Sequence, residues 1–123
     1  MLKDVEISDS IRIREWNPGC TDFHVWLYDQ MMGETERGDK LEPRILSNNG
    51  MTVECGLLWG VNGNLKGVIP EMFSAEHGNE YICINPNGIA RGQIGDDPVF
   101  LGNSPISLDE ATKKFLAGEN VWV

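Results

Sequence analysis

Residues Met51 to Ile94 read MTVECGLLWGVNGNLKGVIPEMFSAEHGNEYICINPNGIARGQI, and this stretch decides the fold. Asn-Gly pairs at 49–50, 62–63 and 87–88 divide it or mark its edge. Asn tolerates positive φ and Gly adopts it freely, so Asn-Gly between apolar runs signals a type I′ hairpin. Val53, Leu57, Leu58, Trp59 and Val61 precede the second pair, and Leu65, Val68 and Ile69 follow it. Tyr81, Ile82, Cys83 and Ile84 precede the third pair, with Ile89, Ala90 and Ile94 beyond. Aromatic and β-branched residues in such runs suit a pleated, half-buried surface. Pro86 cannot donate a ladder bond and should stand where a ladder stops. At least two consecutive hairpins of an antiparallel meander follow. Pro70 to His77 reads as a single helical turn or a loop, with Pro70 suited to its start and Gly78 to its end.

Outward from this stretch, Ser47-Asn48-Asn49-Gly50 joins a short strand at Arg44-Ile45-Leu46 to the one beginning at Met51. Residues 33–43, GETERGDKLEP, read as an exposed charged loop. Residues 21–32, TDFHVWLYDQMM, carry two periodicities. As a strand they place Phe23, Val25 and Leu27 opposite His24, Trp26 and Tyr28; as a helix they gather Phe23, Trp26, Leu27 and Met31. Aromatic and β-branched density favours the strand, paired with residues 11–16, where Ile11 and Ile13 alternate with Arg12 and Arg14.

Toward the C-terminus, Val99-Phe100-Leu101 is a short apolar run. Ser107 and Glu110 form a capping box for a helix over 107–117. Asp109 and Glu110 suit the positive end of its dipole, and Lys113 and Lys114 the other. Leu108, Ala111, Phe115 and Leu116 share one face, Gly118 ends the helix, and Glu119 to Val123 reads as a terminal strand. The expectation is an α+β, mainly β single domain over 1–123: an antiparallel meander of about six to eight strands with one C-terminal helix packed on it.

With 41% hydrophobic and 24% charged residues, the chain has the composition of a globular protein. It lacks an apolar run of the roughly 20 residues that span a bilayer. The start MLKDVEISDS has neither the apolar core nor the cleavage site of a secretory signal, so cytoplasmic residence is expected. Cys20, Cys55 and Cys83 are odd in number and lack a CxxC pair, which speaks for free thiols rather than a disulfide framework. The net charge of −9 disfavours nucleic acid and anionic membranes and favours a protein partner with a basic surface. Acidity is densest early: residues 1–42 hold ten acids and five bases, the remainder nine and five.

Nucleophile elbows, phosphate loops, dinucleotide fingerprints and metalloprotease motifs are absent from the sequence. Three weaker chemistries remain. Cys20, His24, His77 and Cys83 offer soft donors for zinc, but at spacings that match no ligand knuckle. Cys55 beside Glu54 is a possible thiol nucleophile, without the electropositive setting that would activate it. Asp96 with Asp97, and Glu71 with Glu76, are carboxylate pairs that more often serve as turn residues. No cofactor is implied. The aromatics are mostly core material, with Trp26 and Tyr28 the best outward pair. The favoured reading is therefore a small acidic, non-enzymatic interaction protein: an inhibitor, immunity or adaptor module. Its partner contacts fall on Trp26, Tyr28, Glu34, Glu36, Asp39 and Glu42. A homo-oligomer joined at edge strands is the second reading, and a small hydrolase using carboxylates or a Cys/His metal site is the third.

Overall fold

The computed structural model describes residues 2–3, 7–15 and 39–123. These residues form β1 (Leu2–Lys3), β2 (Arg12–Glu15), β3 (Lys40–Asn48), β4 (Met51–Trp59), β5 (Leu65–His77), β6 (Glu80–Asn85), β7 (Gly88–Gln93), β8 (Val99–Gly102) and the helix α1 (Leu108–Leu116). All described pairings are antiparallel. Strands β2 to β8 lie side by side in chain order, and β1 pairs with β5 away from this path. The described residues form a mainly β meander with one C-terminal helix. No described helix is long and apolar enough to cross a membrane.

The Asn-Gly pairs locate the hairpins but use three different turns. At the β3–β4 turn, Asn49 (φ 49°) and Gly50 (φ 77°) are both left-handed, as a type I′ turn requires. Between β4 and β5 only Gly63 is left-handed, and its N–H closes a turn on the Gly60 carbonyl. Pro86 and Asn87 form the β6–β7 loop, which leaves Gly88 as the first residue of β7. Pro86 thus stands where the ladder stops, and the Asn85 carboxamide accepts the Asn87 N–H. Gly78 (φ 60°) with Asn79 makes the β5–β6 turn, consistent with a II′ turn.

Pro70 to His77 is neither helix nor loop: it lies within the 13-residue β5. Cys55 pairs with Pro70 and Glu54 with Met72, so Glu71 is an extra residue in the ladder. Such a bulge is one of the few places a sheet accepts proline. It also marks where the neighbour on the far side of β5 changes from β1, at residues 67–68, to β6, at residues 73–77.

The charged segment 33–43 needs a similar correction where it is described. Asp39 and Leu41 are buried, and Leu41 faces Leu58 across the ladder. The short alternation Lys40-Leu41-Glu42 continues β3, which the nearby glycines and Pro43 obscured. The described partner of residues 12–15 is β3, at residues 44–47. Residues 21–32 lie outside the described part. Glu119 to Val123 does not pair as a strand; Val121 is buried, and its N–H bonds to Met51 Sδ at 3.4 Å.

Alternation along the strands sorts the side chains. One face carries Val53, Cys55 and Leu57 of β4, Phe73 and Ala75 of β5, and Ile82 and Ile84 of β6, all buried together. On this face α1 buries Leu108, Ala111, Phe115 and Leu116. Phe73 and Phe115 meet edge-on, with ring centres 6.4 Å apart. Ser107 Oγ accepts the Glu110 N–H at 3.1 Å. The helix closes with Gly118 (φ 84°) bonding to the Phe115 carbonyl and Glu119 to the Lys114 carbonyl.

Thr112 also lies on the buried side of α1, with its hydroxyl unpartnered among the described residues. A buried hydroxyl without a partner carries a desolvation cost. Thr112→Val keeps the shape and should therefore stabilise the fold by about 1 kcal/mol. A higher urea midpoint at unchanged slope would show it; an unchanged or lower midpoint would mean the hydroxyl is already satisfied.

Candidate functional site

Of the acidic residues singled out from sequence for partner contact, Asp39 and Glu42 are described. Asp39 is buried, and its carboxylate accepts from Lys66 Nζ at 2.6 Å. Glu42 bonds Lys40 on one side and Arg44 on the other. Its carboxyl is held below the usual range, chiefly by the Lys40 hydrogen bond and also by the Arg44 charge, against the effect of burial. Both charges are thus matched within the chain. Trp26, Tyr28, Glu34 and Glu36 lie outside the described residues, as do Cys20 and His24 of the Cys/His metal possibility.

The other two members of that metal set diverge. Cys83 lies between the core residues Ile82 and Ile84, so its side chain takes the opposite face. His77 follows Ala75 on the core side and packs against Trp122, with ring centres 5.2 Å apart and planes tilted by 34°. No group of three or more potential ligands gathers among the described residues. Cys55 is buried, and burial followed by the Glu54 charge pushes its thiol up to about 12. At neutral pH it is a packed thiol, with Sγ donating weakly to the Arg44 carbonyl at 3.7 Å, rather than a nucleophile. Asp96 and Asp97 stand in an exposed turn, where the Asp96 N–H bonds to the Gln93 carbonyl and its carbonyl accepts the Tyr81 hydroxyl.

Two partly buried carboxyls without a described ion pair lie on the sheet face opposite α1. Glu54 alternates with Val53 and Cys55 and so projects away from the core. The bulge in β5 sets Glu71 beside it. Burial raises the Glu54 carboxyl above the usual range, and the neighbouring Glu71 charge raises it further. Burial raises Glu71 as well. The Glu54 charge reaches Cys83, whose thiol is raised mainly by burial. Neither glutamate has a cationic partner among the described ion pairs. In sequence Glu71 pairs with Glu76 as the acids of one loop; in the sheet its neighbour is Glu54. The available signal was Glu54 itself, a lone acid in the run Val53-Glu54-Cys55-Gly56-Leu57.

These shifts set a pH dependence. Folding raises both carboxyl pKa values above the ordinary 4.5, so the native state holds these protons more tightly than the unfolded chain. Their stabilising contribution is complete below that value and is lost as pH rises through the folded pKa values. Glu42 acts oppositely, and its contribution is lost on acidification. The double variant Glu54→Gln, Glu71→Gln should match the parent well below pH 4.5 and exceed its thermal midpoint at pH 7–8. Equal midpoints at pH 8 would show that the pair is not strained.

Two clefts lie elsewhere among the described residues. One of about 460 Å³ lies between the β6–β7 loop and the start of α1, lined by Asn85, Asn87, Asn103, Ser104, Ser107 and Asp109. The Ser107 cap and the acids of the first turn already complement the helix end there. Another, about 470 Å³, is lined by Glu76, His77, Asn120 and Trp122. Its Trp122 ring also lies under Arg91, whose guanidinium carbon is 5.4 Å from the ring centre. Arg91 in turn bonds the main-chain oxygen of Val123, so these groups fasten the C-terminal segment to the sheet. Comparison with protein families, characterised proteins and solved structures finds no match to this chain.

Proposed function

We propose that this protein is a non-enzymatic interaction module, of the inhibitor, immunity or adaptor kind, that binds a basic surface of another macromolecule. The observation that supports this reading is the Glu54–Glu71 pair. Two partly buried carboxyls stand together on the sheet face opposite the helix, with raised pKa values and no described counter-cation. An Arg or Lys from a partner would relieve both the repulsion and the desolvation cost, with charge-assisted bonds of about 1.5–3 kcal/mol each. The net charge of −9 would steer a basic partner toward the surface. Neither glutamate lines the two clefts described above.

The test is recovery of partners on the immobilised chain from lysate at about 50 mM and 500 mM salt. The expected result is one stoichiometric basic partner, retained at low salt and released at high salt. Salt-insensitive recovery, or none, would reject the reading.

A further inference from the structure

Strand β8 ends the described sheet, and its side chains are open on both faces: Val99 is 64% exposed, Phe100 57% and Leu101 58%. Natural edges are commonly blunted by lysine or another charge within the strand, by shortness or by a covering segment. Within its four residues β8 has no charge; it is short, with Pro98 before it, a bulge at Leu101 between the Ile89–Gly102 and Ala90–Phe100 pairs, and the left-handed Gly102 (φ 99°) at its end. We infer that β8 pairs antiparallel with β8 of a second copy of this chain, in the register centred on Phe100.

Three features select this occupant and register. A two-fold axis perpendicular to the sheet keeps faces matched, so paired residue numbers sum to an even value. Centring on Phe100 sets Phe100 against Phe100 on the face it shares with its partner Ala90, and Val99 against Leu101, the residue that the bulge opposite β7 leaves unpaired. All three exposed apolar residues then gain apolar partners. The same register sets Asp97 opposite Asn103 and Asp96 opposite Ser104, so the acids flanking the strand never oppose one another. Pro98 and Gly102 face each other and end the ladder on both sides.

The interface is small. Its side chains offer on the order of 300 Å² per copy, against about 800 Å² per partner in a standard interface. Association is therefore weak and concentration-dependent. It should also strengthen with salt, because each copy carries −9. That sign is opposite to the salt dependence of basic-partner binding, so the two proposals fail separately.

The experiment is sedimentation equilibrium of the full chain from about 5 μM to 500 μM at low and high salt. It is run beside Phe100→Lys, which would oppose two lysines on the axis, with circular dichroism to confirm folding. A reversible dimer that tightens with salt and falls at least about ten-fold in Phe100→Lys is expected. Phe100→Cys gives a second readout, since only a residue on the axis cross-links to its own copy. On mild oxidation, mass spectrometry should find the β8 peptides of two copies joined by a disulfide between the introduced thiols, and Val99→Cys should yield no such product. A monomer at every concentration, a dimer unaffected by Phe100→Lys, or equal cross-linking from both cysteine variants would overturn the inference.

Discussion

Gly88→Ala is expected to cost about 3–5 kcal/mol and to release β8 from the sheet. A Cβ at this position would lie 1.9 Å from the Gly102 carbonyl oxygen, a main-chain atom that cannot rotate away. The glycine also sits at φ 143°, where L side chains are strained. Both effects act where β7 pairs with β8, since Ile89 faces Gly102. Gly63→Ala is the matched comparison. Its φ of 83° is equally unsuited to a side chain, but a Cβ there meets nothing within 4 Å. It should cost only about 1 kcal/mol, the strain without the collision. Urea unfolding of both variants measures the difference. Similar losses would mean that the β7–β8 approach is looser than described.

Phe115→Ala should be the most damaging substitution in the helix, at about 3–5 kcal/mol. The Phe115 ring is fully buried and meets the edge of Phe73 at 67°. Phe115 shares one buried cluster with Val53, Ile82 and Leu116, which can only partly collapse into the space left behind. Phe115→Leu retains most of the volume and should cost less than about 1.5 kcal/mol. Unfolding midpoints for the pair test whether α1 is docked by this contact. A loss below about 1 kcal/mol in the alanine variant would show that it is not.

The hairpins and the helix were legible because their signals are local. Asn49-Gly50 fixes its own backbone, and Ser107 with Glu110 announces a helix start whatever lies elsewhere. Pro70 misled because its tolerance depends on a neighbour change that occurs across the sheet: β1 leaves β5 and β6 joins it only after the bulge. The Gly78-Asn79 turn was hidden by the same error, since Gly78 was read as a helix stop. Asp39 looked like loop charge, whereas the ladder brings Lys66 to it from 27 residues away. The candidate site depended on the bulge too. Glu54 and Glu71 are separated in sequence by a whole hairpin, and the added residue in β5 makes them neighbours. Charge composition could point toward a basic partner, but which acids remain unbalanced could be read only after the ion pairs were known.

The most direct test of the account is a charge-matched comparison in the partner-binding assay. Glu54→Gln with Glu71→Gln removes two charges from the sheet face. Asp109→Asn with Glu110→Gln removes two from the exposed first turn of α1. Affinity for the recovered basic partner at low salt should fall at least about ten-fold in the first variant and by less than about three-fold in the second. Equal losses would reduce the binding to nonspecific charge attraction. Undiminished binding in the Glu54, Glu71 variant would contradict the assignment of the site.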